Sequence, residues 1–141
     1  VGEIRDEETA RMAIRGALTG HLIIASVHAK NAEGVLARMI ELGVSMELVK
    51  QTLLAIVFQK LIPVYCELCG GDCDIHCTKH SIHHKRAALY DVLRSEDIQS
   101  IQLDSILSSF QNRIGNFNDL LRKVFVYGYI SEETYKQYFV P

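Results

Sequence analysis

All four cysteines of this chain fall within twelve consecutive residues near its middle. The segment, residues 66–77, reads CELCGGDCDIHC, and four of the six histidines of the chain lie inside it or shortly after it. So short a segment has no apolar core of its own, so a metal ion or covalent cross-links must hold it in one conformation. This cluster constrains what the chain can fold into more than any other feature of the sequence.

The spacing of the cysteines favours a structural zinc site. The first pair has the Cys-x2-Cys spacing of a zinc knuckle and is followed by two glycines that let the backbone turn. The other two cysteines follow at x3 intervals, and four soft thiolates suit Zn²⁺ in a closed tetrahedral site. We therefore predict one structural Zn²⁺ per chain, with the ligands Cys66, Cys69, Cys73 and Cys77.

Other arrangements of this segment stay open. A disulfide framework is typical of small secreted domains with dispersed cysteines, whereas these are crowded into one loop. An iron–sulfur cluster also takes four thiolates, and in a mixed zinc site His76 or His80 replaces one cysteine. The basic run at residues 83–86 is typical of a solvated surface patch.

Composition and charge exclude several classes of protein. Hydrophobic residues make up 48% of the 141 residues and charged residues 23%, which is ordinary for a globular chain with a core. No apolar run reaches the length of a transmembrane helix. The net charge of −2 argues against a nucleic-acid-binding domain, which usually carries a basic surplus. Because the chain opens on Val1, in a strand pattern and without Met, we expect it to be a fragment of a longer protein.

The first part of the chain alternates between strand and helix patterns, which predicts an α/β fold with a mostly parallel sheet. Val1–Ile4 and Leu22–Val27 are the predicted strands, and the second is apolar enough to be buried on both faces. Asp6 and Asn31 are the expected caps of the helices that follow. Gly43 stands where the second helix should end.

The pattern changes further along the chain. A helix is predicted to start after Ser45 and to run through Val57. Strands at Leu61–Tyr65 and Arg86–Leu93 flank the cysteine segment, and the remainder reads as helices around residues 103–110 and 120–125 and after residue 131. Three parts are therefore predicted: residues 1–61, a metal-binding hairpin at 62–93 and a helical lobe at 94–141.

A carboxylate and two histidines at the predicted strand ends form a candidate site for phosphoryl transfer. Glu3 follows the first strand at the sheet edge where ligands bind, and a carboxylate there can orient an attacking water. His21 begins the next strand and His28 emerges from its carboxyl end, on the same edge as Glu3. Each residue taken alone is more often solvated or packed than functional.

The three segments around these residues are more specific in combination. They read GEIRDEETARMAI, ALTGH and ASVHAKNA, and together they resemble the secretion ATPase family that drives type II secretion, type IV pili and competence pseudopili. In that family the stretch carries the end of the Walker B strand and the histidine box. Ala29 departs from the usual Thr, and residues 30–32 depart from the usual Asn-Asp-Ala. The resemblance is dense over residues 1–61 and weak beyond them.

The resemblance implies an architecture and a set of roles. The fold would be the C-terminal part of a RecA-like P-loop ATPase core, followed by a small metal-binding hairpin and an α-helical C-terminal lobe. Glu3 would be the catalytic carboxylate, and His28, His21 and Arg5 would bind the nucleotide. An alternative for Arg5 is a pairing with Asp6 or Glu8. The full-length protein would use ATP and Mg²⁺ and form a homohexamer. It would lie in the cytoplasm, peripherally at the cytoplasmic face of the cell membrane, against a polytopic inner-membrane assembly platform.

Two departures from the family qualify this interpretation. The phosphate-binding sequence G-x-x-x-x-G-K-[ST] does not occur, so we expect this chain by itself not to hydrolyse ATP. The family often carries a four-cysteine zinc lobe here, with a long insert between two Cys-x2-Cys pairs. The shorter loop of this chain indicates the competence branch, which serves DNA uptake.

Two rival classes stay open at this point. One is a non-catalytic, zinc-stapled module for oligomerisation or interaction. The other is a nucleic-acid-binding zinc module that would use Lys79, Lys85 and Arg86. The acidic net charge and the lack of stacking aromatics beside the cysteines oppose it, so no direct nucleic-acid binding is expected.

Overall fold

The computed structural model describes residues 1–66, 71–72, 86–101 and 116–139 of the chain. This described part has a mixed α/β architecture, in which β1 pairs with β4 and β2 pairs with β3 in two small sheets. The elements in chain order are α1 (Glu7–Leu18), α2 (Ala32–Glu41), α3 (Met46–Thr52), β1 (Ala55–Pro63), β2 (Tyr65–Cys66), β3 (Gly71–Asp72), β4 (Arg86–Arg94), α4 (Ser95–Ser100), α5 (Phe117–Val126) and α6 (Glu132–Tyr138).

The chain divides into two compact units. One unit comprises Val1–Phe58 with Val92–Arg113, and the other comprises Gln59–Asp91 with Ile114–Pro141. Strands β1 and β4 each contribute residues to both units. The three-part division expected from the sequence, with boundaries after residues 61 and 93, stays a prediction.

Four helices begin where the sequence predicts them. In each, a side-chain oxygen of the capping residue accepts a hydrogen bond from a first-turn N–H that the helix itself leaves unpaired. Each first turn also carries a glutamate, which suits the positive end of the helix dipole. The caps are Asp6 for α1, Asn31 for α2, Ser45 for α3 and Ser131 for α6, with O···N distances of 2.8, 2.8, 3.3 and 3.1 Å.

The core of the first unit forms between these helices and the segments that precede them. Helix α1 buries small residues, which lets it lie close to its neighbours, and α1 packs against α3. Helix α2 ends where Gly43 turns with φ of +80°, as expected from its place in the sequence. The core residues on the three helices are Ala10, Ala13, Ile14, Ala32, Leu36, Met39, Met46 and Val49.

Leu36→Ala should destabilise the chain strongly. Its side chain on α2 is 0% exposed, so truncation loses burial and leaves a cavity, at a cost of about 2–5 kcal/mol in the free energy of unfolding. Urea denaturation followed by circular dichroism measures this cost. The matched control is Leu22→Ala, because Leu22 is 77% exposed and its loss should cost less than about 0.5 kcal/mol. Equal costs for the two variants would contradict the assignment of the core.

The two segments predicted as the first strands meet at a single parallel bridge between Glu3 and Ser26. The prediction that the second segment, Leu22–Val27, is buried on both faces was wrong. Ile23, Ala25 and Val27 pack against the core, whereas Leu22 and Ile24 are each 77% exposed. The alternation follows from the extended backbone, which points successive side chains to opposite faces, and the helices of this unit cover only one of them.

The predicted extent of the helix that follows Ser45, through Val57, was also wrong. Helix α3 ends at Thr52, and strand β1 begins at Ala55. Ile56 is 6% exposed and Val57 is 60% exposed, which is the two-residue period of a strand with one buried face. Pairing with β4, a partner distant in the sequence, decided between two patterns that a short apolar run cannot distinguish.

The second unit has its own buried residues. Two aromatic contacts join elements of this unit. The rings of Phe125 on α5 and Tyr135 on α6 stack with their centroids 5.0 Å apart. Lys60 Nζ lies 5.2 Å from the ring centroid of Tyr138, in a cation–π contact. The predicted last helix after Ser131 is confirmed. The predicted helix at 103–110 lies outside the described residues. The buried hydrophobic residues of this unit are Ile62, Cys66, Phe117, Leu121 and Ile130.

Across the residues that the structure describes, no helix combines the length and the apolar character needed to cross a bilayer.

Candidate functional site

The extended segments that carry Glu3 and His28 run side by side in the same direction. The Ile4 N–H donates to the Ser26 carbonyl at 2.9 Å, and Ser26 Oγ donates to the Gly2 carbonyl at 2.6 Å. Because the two segments are parallel, their carboxyl ends lie at the same edge, as the sequence predicted. Helices α1 and α2 begin shortly after these ends, so their partly positive N-termini lie near the same edge.

Two nitrogen-bearing side chains, those of Arg5 and His28, approach the Glu3 carboxylate from different sides. Arg5 Nη2 lies 2.5 Å from Oε2, and His28 Nε2 lies 2.9 Å from Oε1. Oε1 is closed to solvent, and the His28 ring lacks the alignment of a hydrogen bond to it, so this oxygen keeps its acceptor capacity. Glu3 is 22% exposed, against 76% for Arg5 and 92% for His28. The carboxylate is thus the shielded member of the three, and the Arg5 guanidinium and the His28 ring are largely exposed.

The Arg5 guanidinium lowers the pKa of the Glu3 carboxylate. Its hydrogen bond to the carboxylate is the main cause that lowers the pKa of Glu3 below its ordinary value, with a smaller Coulombic contribution from His28. The same hydrogen bond raises the pKa of Arg5. Glu3 is therefore ionised at neutral pH, in the state that a water-positioning carboxylate requires.

These residues line a cleft of about 330 Å³, which also includes Ile4 and Arg38. Sequence reasoning missed Arg38. It is the basic residue in the last turn of α2, where a cation suits the helix dipole and can pair with a glutamate three residues on, so no sequence signal distinguished it from a surface residue. Only the fold brings it to the cleft.

His21 lies elsewhere in the unit. Its backbone N–H donates to the Gly16 carbonyl at 3.1 Å and its Nδ1 lies 3.0 Å from Thr19 Oγ1, so the residue closes the C-terminal end of α1. It is not among the residues that line the cleft. Its predicted role in nucleotide binding stays a prediction.

One predicted zinc ligand falls within the described residues. Cys66 is 5% exposed and ends β2, opposite Gly71 in the antiparallel register with β3. Cys69, Cys73 and Cys77 lie outside the described residues. Within those that the structure describes, no three His, Cys, Asp or Glu side chains gather as a metal site would require. The four-cysteine zinc site stays a prediction.

The pH titration of Glu3 should depend on Arg5. Since the folded-state pKa is lowered, this carboxylate stabilises the fold above its ordinary pKa, and the contribution is lost as the pH falls through the lowered value. Carboxyl ¹³C NMR should show a Glu3 midpoint below the ordinary range, and Arg5→Gln should move it upward. His28→Gln is the comparison and should move it less, because its effect is the smaller one. A midpoint that Arg5→Gln leaves unchanged would contradict this account.

Comparison with solved structures identifies the class of fold. The ATPase DotB of Legionella pneumophila superposes with a TM-score of 0.72 and 22% sequence identity, over 97% of this chain and 37% of DotB. At that identity the likeness concerns the fold alone. The chain therefore shares the fold of part of DotB.

Sequence comparison identifies the family. The family model described as Type II/IV secretion system protein matches residues 1–122. Competence protein ComGA of Bacillus subtilis is 31% identical over 98% of this chain and 39% of its own length. ComGA of Halalkalibacterium halodurans is 36% identical over 96% of this chain and 38% of its own length. The chain thus belongs to the Type II/IV secretion system protein family, which confirms the resemblance predicted from the sequence, and it spans about two fifths of these relatives.

Proposed function

We propose that this chain is the C-terminal part of a hexameric traffic ATPase that powers assembly of a pseudopilus for DNA uptake. The observation that carries the proposal is the ionised Glu3 carboxylate, held by Arg5 beside His28 in a cleft at the end of two parallel segments. The names of the ComGA relatives support a role in competence.

The residues of the cleft have distinct roles in this proposal. Glu3, ionised and 22% exposed, orients the attacking water through its carboxylate. The exposed His28 ring contacts the γ-phosphate, and Arg5 neutralises charge at the phosphates. His21, which lies at the C-terminal end of α1 and outside the lining of this cleft, would have to contact the nucleotide from there. Mg²⁺ would enter with ATP, where it bridges the phosphates and neutralises their developing charge.

The proposed domain organisation follows these roles. Residues 1–61 would be the second half of a RecA-like core, residues 62–93 the zinc hairpin and residues 94–141 a helical lobe. One observation supports the hairpin: Cys66, the first cysteine of the Cys-x2-Cys sequence, lies opposite Gly71 in the antiparallel register of β2 and β3. The Cys-x2-Cys spacing itself is typical of structural zinc sites.

The proposed setting is the cytoplasmic face of the cell membrane. There the hexamer would act on a polytopic assembly platform, with ATP and Mg²⁺ bound between subunits and without direct contact to nucleic acid. The net charge of −2 supports the last point, since binding to nucleic acid depends on basic residues that neutralise phosphates.

The test compares this chain with the full-length protein. The chain alone should show no micromolar ATP site by isothermal titration with Mg²⁺, because the phosphate-binding loop supplies most phosphate contacts in this class and its sequence is absent here. The full-length protein should bind and hydrolyse ATP and elute as a hexamer. A full-length protein that forms oligomers without hydrolysing ATP would instead support the non-catalytic, zinc-stapled module.

A further inference from the structure

Arg38 makes two contacts that join separate parts of the first unit. Its Nη2 donates to the backbone carbonyl of Arg5 at 3.2 Å, across 33 positions of the sequence, and its Nη1 donates to Glu41 Oε2 at 3.0 Å. The side chain is 41% exposed, so part of it is shielded beside the cleft that it helps to line. A planar guanidinium can serve two acceptors at once in a fixed geometry, which an ammonium group cannot.

The two contacts of Arg38 differ in what they can do. The pair with Glu41 joins two exposed residues three positions apart on one helix, and such pairs contribute little. The bond to the Arg5 carbonyl joins helix α2 to the segment that carries Glu3. That carbonyl lies before α1, whose first backbone bond runs from the Ala10 N–H to the Asp6 carbonyl. Arg38 therefore restrains a residue that the helix ladder does not hold.

Helix α2 is linked to both Arg5 and His28, the two residues that approach Glu3. Its cap, Asn31, follows His28 by three residues, and Arg38 on the same helix donates a hydrogen bond to the backbone carbonyl of Arg5. The approach of His28 to one carboxylate oxygen and of Arg5 to the other therefore both depend on where α2 lies. A displacement of this helix would change both contacts of Glu3.

We infer that Arg38 is a positioning residue for the catalytic carboxylate: by holding the Arg5 carbonyl, it keeps the Arg5 guanidinium on Glu3. The expected effect of Arg38 on turnover rests on the proposed ATPase function. The expected effect of Arg38 on the Glu3–Arg5 pair is independent of that function. Misplacement of a reacting group by about 1 Å can cost a hundredfold in rate, so a contact outside the reacting atoms can matter.

The first experiment measures turnover in the full-length protein. Arg38→Ala should lower kcat roughly tenfold or more and leave KM within about twofold, because positioning of the carboxylate acts on the reacting step rather than on binding. Arg38→Lys should restore part of kcat, since an ammonium group can still donate to the Arg5 carbonyl. The matched control is Arg11→Ala, which removes an arginine paired with Glu7 on the exposed side of α1 and should leave kcat unchanged.

The second experiment needs no activity. In the 141-residue chain, carboxyl ¹³C NMR should show the Glu3 titration midpoint moving upward in Arg38→Ala and less in Arg38→Lys. The titratable and charged groups of the cleft around Glu3 are Arg5, His28 and Arg38 itself. The upward shift is expected because the Arg5 guanidinium, which lowers the pKa of Glu3, is held less firmly once Arg38 no longer bonds the Arg5 carbonyl. Arg11→Ala should leave the midpoint in place. If Arg38→Ala fails to fold, Arg38→Lys gives the same test with a smaller shift.

The outcomes separate this inference from the proposed function. An unmoved Glu3 midpoint in both Arg38 variants would overturn the inference, and so would a normal kcat for Arg38→Ala in an active full-length enzyme. A full-length protein without ATP turnover would overturn the proposed function instead, while a shifted midpoint would still support the role of Arg38 in holding the pair.

Discussion

Glu3→Gln should abolish most ATP turnover of the full-length protein while ATP binding persists. The amide keeps the size of the side chain but can neither accept a proton from water nor form an ion pair with Arg5. Removing a general base of this kind typically costs a hundredfold to ten-thousandfold, so kcat should fall by roughly that factor. A phosphate-release assay measures kcat, and equilibrium binding of a fluorescent ATP analogue measures the retained affinity.

The control for this variant is Glu47→Gln, which makes the same change at an exposed position in the first turn of α3. Its turnover should match that of the unmodified protein. If Glu3→Gln kept near-normal turnover, the catalytic carboxylate would have to be another residue. If the variant lost ATP affinity as well, Glu3 would serve ground-state binding rather than the reacting step.

Protein purified without added metal should contain about one zinc per chain, and a chelator should lower the melting temperature. The energy of metal binding is folding energy for so short a segment, because the unfolded chain has no preformed site. Cys66→Ser should lose most of the zinc, since it removes a buried thiol at the point where β2 ends. Metal analysis by mass spectrometry and a thermal melt measure the two effects.

Histidine variants distinguish the predicted four-cysteine site from a mixed one. His80→Ala and His76→Ala should each keep the zinc if the ligands are four thiolates, whereas loss in one of them would place that histidine in the site. His83→Ala is the control from the basic run. Native protein whose four thiols all react at once, with no metal present, would refute the zinc site.

Local chemistry explains why several elements could be predicted from the sequence. A capping side chain and the N–H that it satisfies lie three residues apart, so Asp6 and Asn31 mark their helices without reference to the rest of the fold. Strand β4 matches its predicted span to within one residue, because its aromatic and apolar residues are concentrated in one short segment that only Asp91 interrupts. The family resemblance also depends on contiguous segments, and the family match confirms it.

Other pairings were not predictable in the same way. Arg5 had an apparent partner in Asp6 or Glu8, yet it pairs with Glu3, two positions away, because the fold decides which of these near neighbours lies beside the guanidinium. The Asp6 side chain instead accepts the Thr9 N–H, a bond that also lowers its pKa. The start of β1 at Ala55 and the exposure of Ile24 follow from which segments pair and which face the helices cover. The place of Arg38 in the cleft was missed for the same reason, because its hydrogen bond to the Arg5 carbonyl spans 33 positions.

The sequence by itself determined the starts of four helices, the identity of the acidic and basic groups at the strand ends and the family, because each depends on residues within a few positions of one another. Only the tertiary structure decided which side chain lies beside which oxygen of Glu3 and which helix restrains Arg5. The contacts of His28 with Glu3 and of Arg38 with Arg5 join segments that are far apart in the chain, and even the Arg5–Glu3 pair, two positions apart, takes its geometry only after the backbone has packed.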